Sequence, residues 1–437
     1  MRTSSTILVV VILIAVIASA VFYYKDTEGP GIILSPTGGA VSSAKTLTVR
    51  LSDAASGIKT VQIDVIQGES RRQVLSQTLP DRPAERLVEI DLADLKLREG
   101  TLEIEVVAVD GSVYHFGAGN ETSLRQGYLF DNRPPVVTVL SRNHNLNQGG
   151  SGLVAFEVSE DVDKVGVLMD EEFFPAYRQP TGEYLALFSY PHDVKPGKLV
   201  PKVLAVDAAG NERRAGFYFH VNSHRVNQTD INLSDNFLNR KMPDFQHLYP
   251  SEAEMLGIFL KVNRELRQAN RQKLRTIAEQ SSSAPLWDGA FLRQKGANRE
   301  PFATKRTYKY KGEEVDRQTH LGVDIASVAH GPVNASNRGE VVYADDFGIY
   351  GQCVVIDHGL GLMSLYGHMS SIAVQVGEEV ERGHEIGRTG MTGLAGGDHL
   401  HFGLLVSGRP VNPIEWWDHT WMKNNVESKL GLGRETL

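Results

Sequence analysis

His399-Leu400-His401 sets two imidazoles two residues apart. On a β-strand such residues point to the same face, so both can enter one cavity while Leu400 turns to the core. Upstream, His320-Leu321-Gly322-Val323-Asp324 sets an imidazole and a carboxylate four apart. Extended or gently bent chain brings these to one face too, and a neutral imidazole with a carboxylate is an ordinary Zn²⁺ ligand pair. A third ligand has to come from elsewhere. Between the two patterns lies Tyr366-Gly367-His368, and eight of the fourteen histidines fall after residue 300. A His-x-His pair alone is a weak signal, because two histidines on a strand face are commonly surface or core residues. Three such patterns in one β-rich segment make a strong one.

Further short segments accompany them: Gly331-Pro332-Val333-Asn334-Ala335, Gly339-Glu340-Val341-Val342, Ile356-Asp357-His358-Gly359, Val376-Gly377-Glu378-Glu379-Val380, Gly387-Arg388-Thr389-Gly390 and Val411-Asn412-Pro413. With these, the segment from roughly 300 to 415 resembles the lysostaphin/LytM-type zinc metallopeptidases. The resemblance implies an all-β peptidase domain over 300–420 that takes one Zn²⁺ through His320, Asp324 and His401, with His368 and His399 as the two assisting, non-ligand histidines. Three protein ligands leave zinc one open position, where bound water has a pKa of roughly 7 and becomes a usable nucleophile. One histidine would take its proton and the other would stabilise the developing oxyanion, in an order the sequence leaves open. All five positions are filled, which argues for a peptidase that cuts peptidoglycan cross-links or stem peptides. The alternative is a non-catalytic envelope scaffold or an activator of cell-wall amidases, as in relatives that keep the fold and lose ligands. A third reading is an exported peptidase acting on other proteins.

The chain departs from the family pattern at Phe302-Ala303-Thr304-Lys305-Arg306-Thr307-Tyr308 and at Asp398. Neither departure is expected to touch a ligand, and Tyr308 and Tyr310 are expected to help wall the substrate groove. His330, His358, His384 and His419 match no ligand position and are read as structural or solvated.

Upstream of the peptidase the chain reads as mainly β. Short alternating runs such as Leu47-Thr48-Val49-Arg50-Leu51 and Leu102-Glu103-Ile104-Glu105-Val106 are separated by turn residues. An internal repeat sets Gly100 eight residues before Ala108-Val109-Asp110 and Gly197 eight before Ala205-Val206-Asp207. Ala205-Val206-Asp207-Ala208-Ala209-Gly210-Asn211 resembles a signature of bacterial immunoglobulin-like domains. That implies two β-sandwiches, 29–133 and 134–222, joined at Asp131-Asn132-Arg133-Pro134-Pro135. Residues 223–299 read as a helical connector, with Ser251-Glu252-Ala253-Glu254 as its cap and Met255, Phe259, Val262 and Leu266 as an apolar stripe. It is read as a spacer packed on a neighbour; alternatively the connector, or the chain around Trp287, restrains access to the active site. Residues 421–437 are a tail.

Ile7 to Tyr24 carries no charge, so 1–28 is expected to be a transmembrane signal anchor, or alternatively a signal peptide cleaved after Ala18-Ser19-Ala20. Either places the bulk in the periplasm or cell envelope, with the inner membrane, peptidoglycan peptides and envelope protein regulators as partners. The net charge of −8 and isoelectric point near 6.0 exclude a nucleic-acid footprint. Cys353 is the only cysteine, so no intramolecular disulfide forms, and its apolar surroundings make it a core residue.

Overall fold

The computed structural model describes residues 2–433. The fold is mainly β, and the chain divides into two compact units. The first holds the residues up to Pro135 with the short pieces Glu160–Asp163 and Val206–Glu212.

In that unit a five-stranded sheet, ordered Ala40–Val41, Glu121–Phe130, Gly100–Asp110, Ile58–Gln67 and Ser70–Thr78, accompanies a three-stranded sheet of Gly31–Ser35, Leu47–Ser52 and Glu85–Ile90. Leu102, Ile104, Val106 and Ala108 are buried while the residues between them are half-buried, the period of two that a sheet with one covered face demands. They share a core with Leu47, Val49 and Leu51 of the smaller sheet. The repeat seen in the sequence has a physical basis. Asp110 accepts from the backbone N–H and side-chain amide of Asn120, both at 2.7 Å, and Asp207 accepts the same pair from Asn211 at 2.9 Å. Each asparagine amide also donates to an incoming carbonyl, Asp26 in one copy and Asp131 in the other.

The expected transmembrane anchor is not met. A helix forms over Arg2–Tyr23, but among the described residues no helix is long and apolar enough to cross a membrane. Met1 lies outside the described residues, as do 434–437 of the expected tail.

The second unit contains a four-stranded sheet ordered Tyr177–Arg178, Tyr184–Ser189, Ser151–Val158 and Val137–Val139, and most of the residues of another ordered Glu172–Pro175, Val162–Met169, Lys202–Asp207 and Glu212–Gly216. It also contains the large C-terminal sheet, whose path runs Ala297–Glu300, Val323–Ala326, Leu400–Val406, Leu362–Ile372, Gln352–Asp357, Gly339–Asp346 and Glu379–Val380. Its central strands are buried on both faces, which is why they read as continuous apolar runs. Alternate residues serve different cores. Cys353, Val355 and Leu365 pack with Phe259, Val262 and Leu274 of the connector, whereas Val354, Ile356, Tyr366 and Phe402 fill the other side.

The connector is therefore built into the peptidase core. It is also not purely helical. Gln228–Leu233 is a strand that pairs in parallel with Thr304–Tyr310, itself joined antiparallel to Glu313–His320 through a turn in which Lys311 and Gly312 both have positive φ. The alternation Gln228-Thr229-Asp230-Ile231-Asn232-Leu233 is too polar to announce a strand by itself; only Leu233 is buried. Helices follow at Asp235–Lys241, Met255–Lys261 and Arg267–Ala278, the last two continuous through a π-helical turn at Val262–Leu266. Ser234 caps the first through the Phe237 N–H, whereas the helix at Met255 begins after Glu254 without a side-chain cap, later than the expected Ser251. Past residue 420, Met422 and Val426 are fully buried and Lys429 donates to the Leu153 carbonyl.

Candidate metal centre

The site is assembled by strand register. Val323–Ala326 pairs antiparallel with Leu400–Val406 so that Asp324 lies opposite His401, and Leu362–Ile372 pairs on the other side so that Gly367 lies opposite His401. His320 ends its strand one tight step before Asp324. That step needs Gly322, because a Cβ there would come within 2.5 Å of the His401 ring. His368 sits at φ 63°, a left-handed conformation that a non-glycine residue holds only when its surroundings fix it.

Three donor atoms converge. His320 Nε2 and Asp324 Oδ1 are 3.0 Å apart, His401 Nδ1 and Asp324 Oδ1 3.0 Å, and His320 Nε2 and His401 Nδ1 3.1 Å. All three residues are buried. His320 Nδ1 donates to the Pro301 carbonyl at 3.3 Å, which leaves the lone pair on Nε2 facing the cluster. Burial raises the Asp324 carboxyl, but the imidazoles of His320 and His401 outweigh it and hold the carboxyl well below its ordinary range. Burial pushes His401 down to about 4, so its ring is neutral. Two nitrogen lone pairs and a carboxylate oxygen at such spacing are satisfied together by one cation, and the set suits zinc in its three-ligand, open form.

Asp324 is held from behind. Its Oδ2 accepts from Arg306 Nη2 at 3.0 Å, and the same guanidinium forks onto Glu300. The expectation that the strand around Arg306 touches no ligand is corrected: Arg306 orients Asp324. Asp398 does stay off the ligands, accepting from Thr389 Oγ1 and the His330 backbone N–H.

His368 and His399 lie beside the cluster, their rings 4.8 Å apart and His368 5.8 Å from His401. His368 Nδ1 donates to the Thr392 carbonyl at 2.9 Å and His399 Nδ1 to the Gly397 carbonyl at 2.8 Å. Burial, with the neighbouring rings of His399 and His401, pushes His368 well below its ordinary value. His399 Nε2 stands 3.7 Å from Asp324 Oδ1. The structure thus brings all five sequence-predicted residues to one place.

Above them is a cavity of about 310 Å³. Its far wall comes from the connector, through Ile231, Phe237, Phe259, Arg267 and Arg271, and Tyr350 and Tyr308 line it as well. Tyr310 does not line it and instead donates to Asp235. Nothing local marked the connector residues, since their role depends on long-range packing. Trp287 is buried against Trp416 and does not line the cavity either, so the expected restraint by its segment is not seen. His358 is fully buried, with Nδ1 donating to the Arg338 carbonyl at 2.7 Å and Nε2 facing Ser364 Oγ at 2.8 Å. His330 is exposed.

Residues 318–413 match Peptidase family M23. The chain is 44% identical over 96 residues to the peptidoglycan DD-endopeptidase ShyA of Vibrio cholerae serotype O1, a match covering 22% of each chain. It is 35% identical over 133 residues to the DD-carboxypeptidase/endopeptidase Mpg of Neisseria meningitidis serogroup B, covering 29% of this chain and 31% of that one. The matches thus span less than a third of these relatives' length. Among solved structures, a peptidase M23 from Pseudomonas aeruginosa aligns over 62% of this chain and 93% of its own at 22% identity and a TM-score of 0.38. The C-terminal part of the chain, residues 318–413, is a LytM-type domain of Peptidase family M23.

Proposed function

We propose that the protein is a zinc metalloendopeptidase that hydrolyses cross-linking or stem peptides of bacterial peptidoglycan. The observation that carries this reading is the meeting of His320 Nε2, Asp324 Oδ1 and His401 Nδ1 within 3.1 Å, at the base of a cavity that His368 and His399 also line. The matches to a peptidoglycan DD-endopeptidase and a DD-carboxypeptidase/endopeptidase support the substrate class.

When bound by His320, Asp324 and His401, zinc supplies a polarised scissile carbonyl and an acidified water. His368 is the general base: its Nδ1–H is committed to the Thr392 carbonyl, its Nε2 has no hydrogen-bond partner among the described residues, and burial keeps the ring neutral. His399 is more accessible, with 17% of its side chain exposed, and its Nδ1–H is committed to the Gly397 carbonyl. It is the histidine placed to stabilise the developing oxyanion. Arg306 keeps the Asp324 carboxylate turned toward the two ligand imidazoles.

In this reading the protein works in the cell envelope, which fractionation tests. The intact donor set counts against the non-catalytic activator. Digestion of purified wall fragments by the zinc-loaded protein, with mass analysis of the products, identifies the bond cut. A zinc-loaded protein that releases no peptide product would overturn the proposal.

A further inference from the structure

The cavity that holds the metal centre carries two cations that the proposed chemistry does not use. Arg267 and Arg271 stand four apart on the helix Arg267–Ala278, hence on one face, and both line the cavity with His320, Asp324, His368 and His401. Arg267 spends Nε and Nη2 on the carbonyl and side-chain oxygen of Asn263, at 3.2 and 2.7 Å. Among the described residues, no carboxylate lies within ion-pair distance of either arginine. Arg306, in the same cavity, is by contrast paired with both Glu300 and Asp324.

The positive character extends outward. Arg271 and Arg306 also line an adjoining groove with Lys305, Arg317 and His192, where the one acid is Asp193. In a chain of net charge −8 this is a local feature and not a product of composition. A half-buried guanidinium without a counter-ion is costly, and burial together with Arg306 and Arg271 depresses Arg267 from its ordinary value. Such a cost persists at a cavity when a ligand supplies the anion. Arginine is suited to this, because its planar fork matches a carboxylate with two parallel bonds.

We infer that Arg267 and Arg271 form a carboxylate-binding subsite of the cleavage groove, so that the preferred substrate is a peptide bearing a free carboxylate close to the scissile bond. This rests on the peptidase reading of the same cavity. The carboxylate can be a C-terminus or a side chain, and the recognition chemistry is shared.

The test uses the full chain loaded with zinc and cross-linked muropeptide dimers in three forms: free acid, C-terminally amidated, and amidated at the side-chain carboxylate beside the cross-link. One amidation lowers kcat/KM about tenfold or more, which assigns the carboxylate. Titration with the corresponding cleaved peptides, free acid and amide, gives a second readout that needs no turnover. Arg267→Gln with Arg271→Gln removes the preference in both readouts, mainly through KM and binding, and Arg271→Gln alone, which breaks no ion pair among the described residues, reduces it. Arg264→Gln, whose side chain pairs with Asp316 instead, keeps it. If neither amidation changes cleavage or binding, or if the double variant retains the preference while folded, the subsite is refuted. If no dimer is cut although zinc is bound, the peptidase reading fails, and the titrations still decide the subsite.

Discussion

Arg306 Nη2 lies 3.0 Å from Asp324 Oδ2, on the carboxylate oxygen opposite the one that faces His320 and His401. One carboxylate thus joins the donor cluster to a guanidinium that is itself anchored on Glu300. A ligand held from behind in this way keeps its orientation and loses less entropy when the ion enters. Arg306→Ala is expected to weaken zinc binding about 10- to 100-fold, measured by competition with a chromophoric chelator. Affinity equal to that of the unaltered protein would reduce Arg306 to a surface ion pair.

The five histidine and aspartate positions should separate into two classes. His320→Ala, Asp324→Ala and His401→Ala each remove a converging donor atom and should lower metal occupancy together with activity. His368→Ala and His399→Ala should leave one zinc per chain and lose turnover by about 10²-fold or more. Metal analysis of the five purified variants checks this, and zinc missing from both of the last two would break the division of roles.

His358→Ala should unfold more easily by about 2–4 kcal/mol, because it opens a cavity, strands the Arg338 carbonyl in a closed core and leaves the Ser364 hydroxyl with Tyr366 as its remaining partner. Burial pushes the His358 imidazole down to about 4 from an ordinary 6.5. The unfolded chain therefore takes up this proton first, and the contribution to stability declines as pH falls from 6.5 toward 4. Denaturant midpoints across that range, in the parent and in His358→Ala, should show a shallower decline in the variant.

Glu415 titrates in the opposite sense. Its carboxyl accepts from Asn147 and Ser151 in a closed pocket, and burial raises it to about 7 from 4.5. The folded state holds the proton longer than the unfolded one, so the contribution is complete below 4.5 and is lost as pH rises through 7, by roughly 3 kcal/mol. Glu415→Gln should flatten this loss and raise the melting temperature at pH 8. An unchanged pH profile would show that Glu415 is ionised without cost.

Removal of the connector should cost stability before it affects access to the site. Phe259, Val262 and Leu274 share a core with Val355, Leu365 and Leu405, so a fragment of residues 300–437 exposes a wide apolar face. It should be less soluble and melt lower than a fragment of 223–437 that retains the same metal ligands. Equal melting of the two would make the connector a mere cover.

The sequence by itself pointed to the site. Spacings of two and four residues set His399 with His401 and His320 with Asp324 on shared faces, because strand geometry carries that information locally, whereas His368 and the division into ligands and assisting residues came from the resemblance to the lysostaphin/LytM-type peptidases. Core runs such as Cys353-Val354-Val355-Ile356 were legible because a strand covered on both faces must be apolar throughout. The repeat of Asp110 and Asp207 was visible too, though its partners, Asn120 and Asn211, stand at different spacings and became clear only as hydrogen bonds. Tertiary structure alone decided the rest. Gln228–Leu233 is a strand because Thr304–Tyr310 offers it an edge, and Arg306 reaches Asp324 because its strand pairs with the one that ends at His320. Arg267 and Arg271 face the metal centre because the apolar stripe of their helix is buried on the peptidase sheet, which turns the polar flank toward the cavity. Such contacts join residues far apart in the chain, and the free energy that selects them is the burial of a shared core, which no local spacing records.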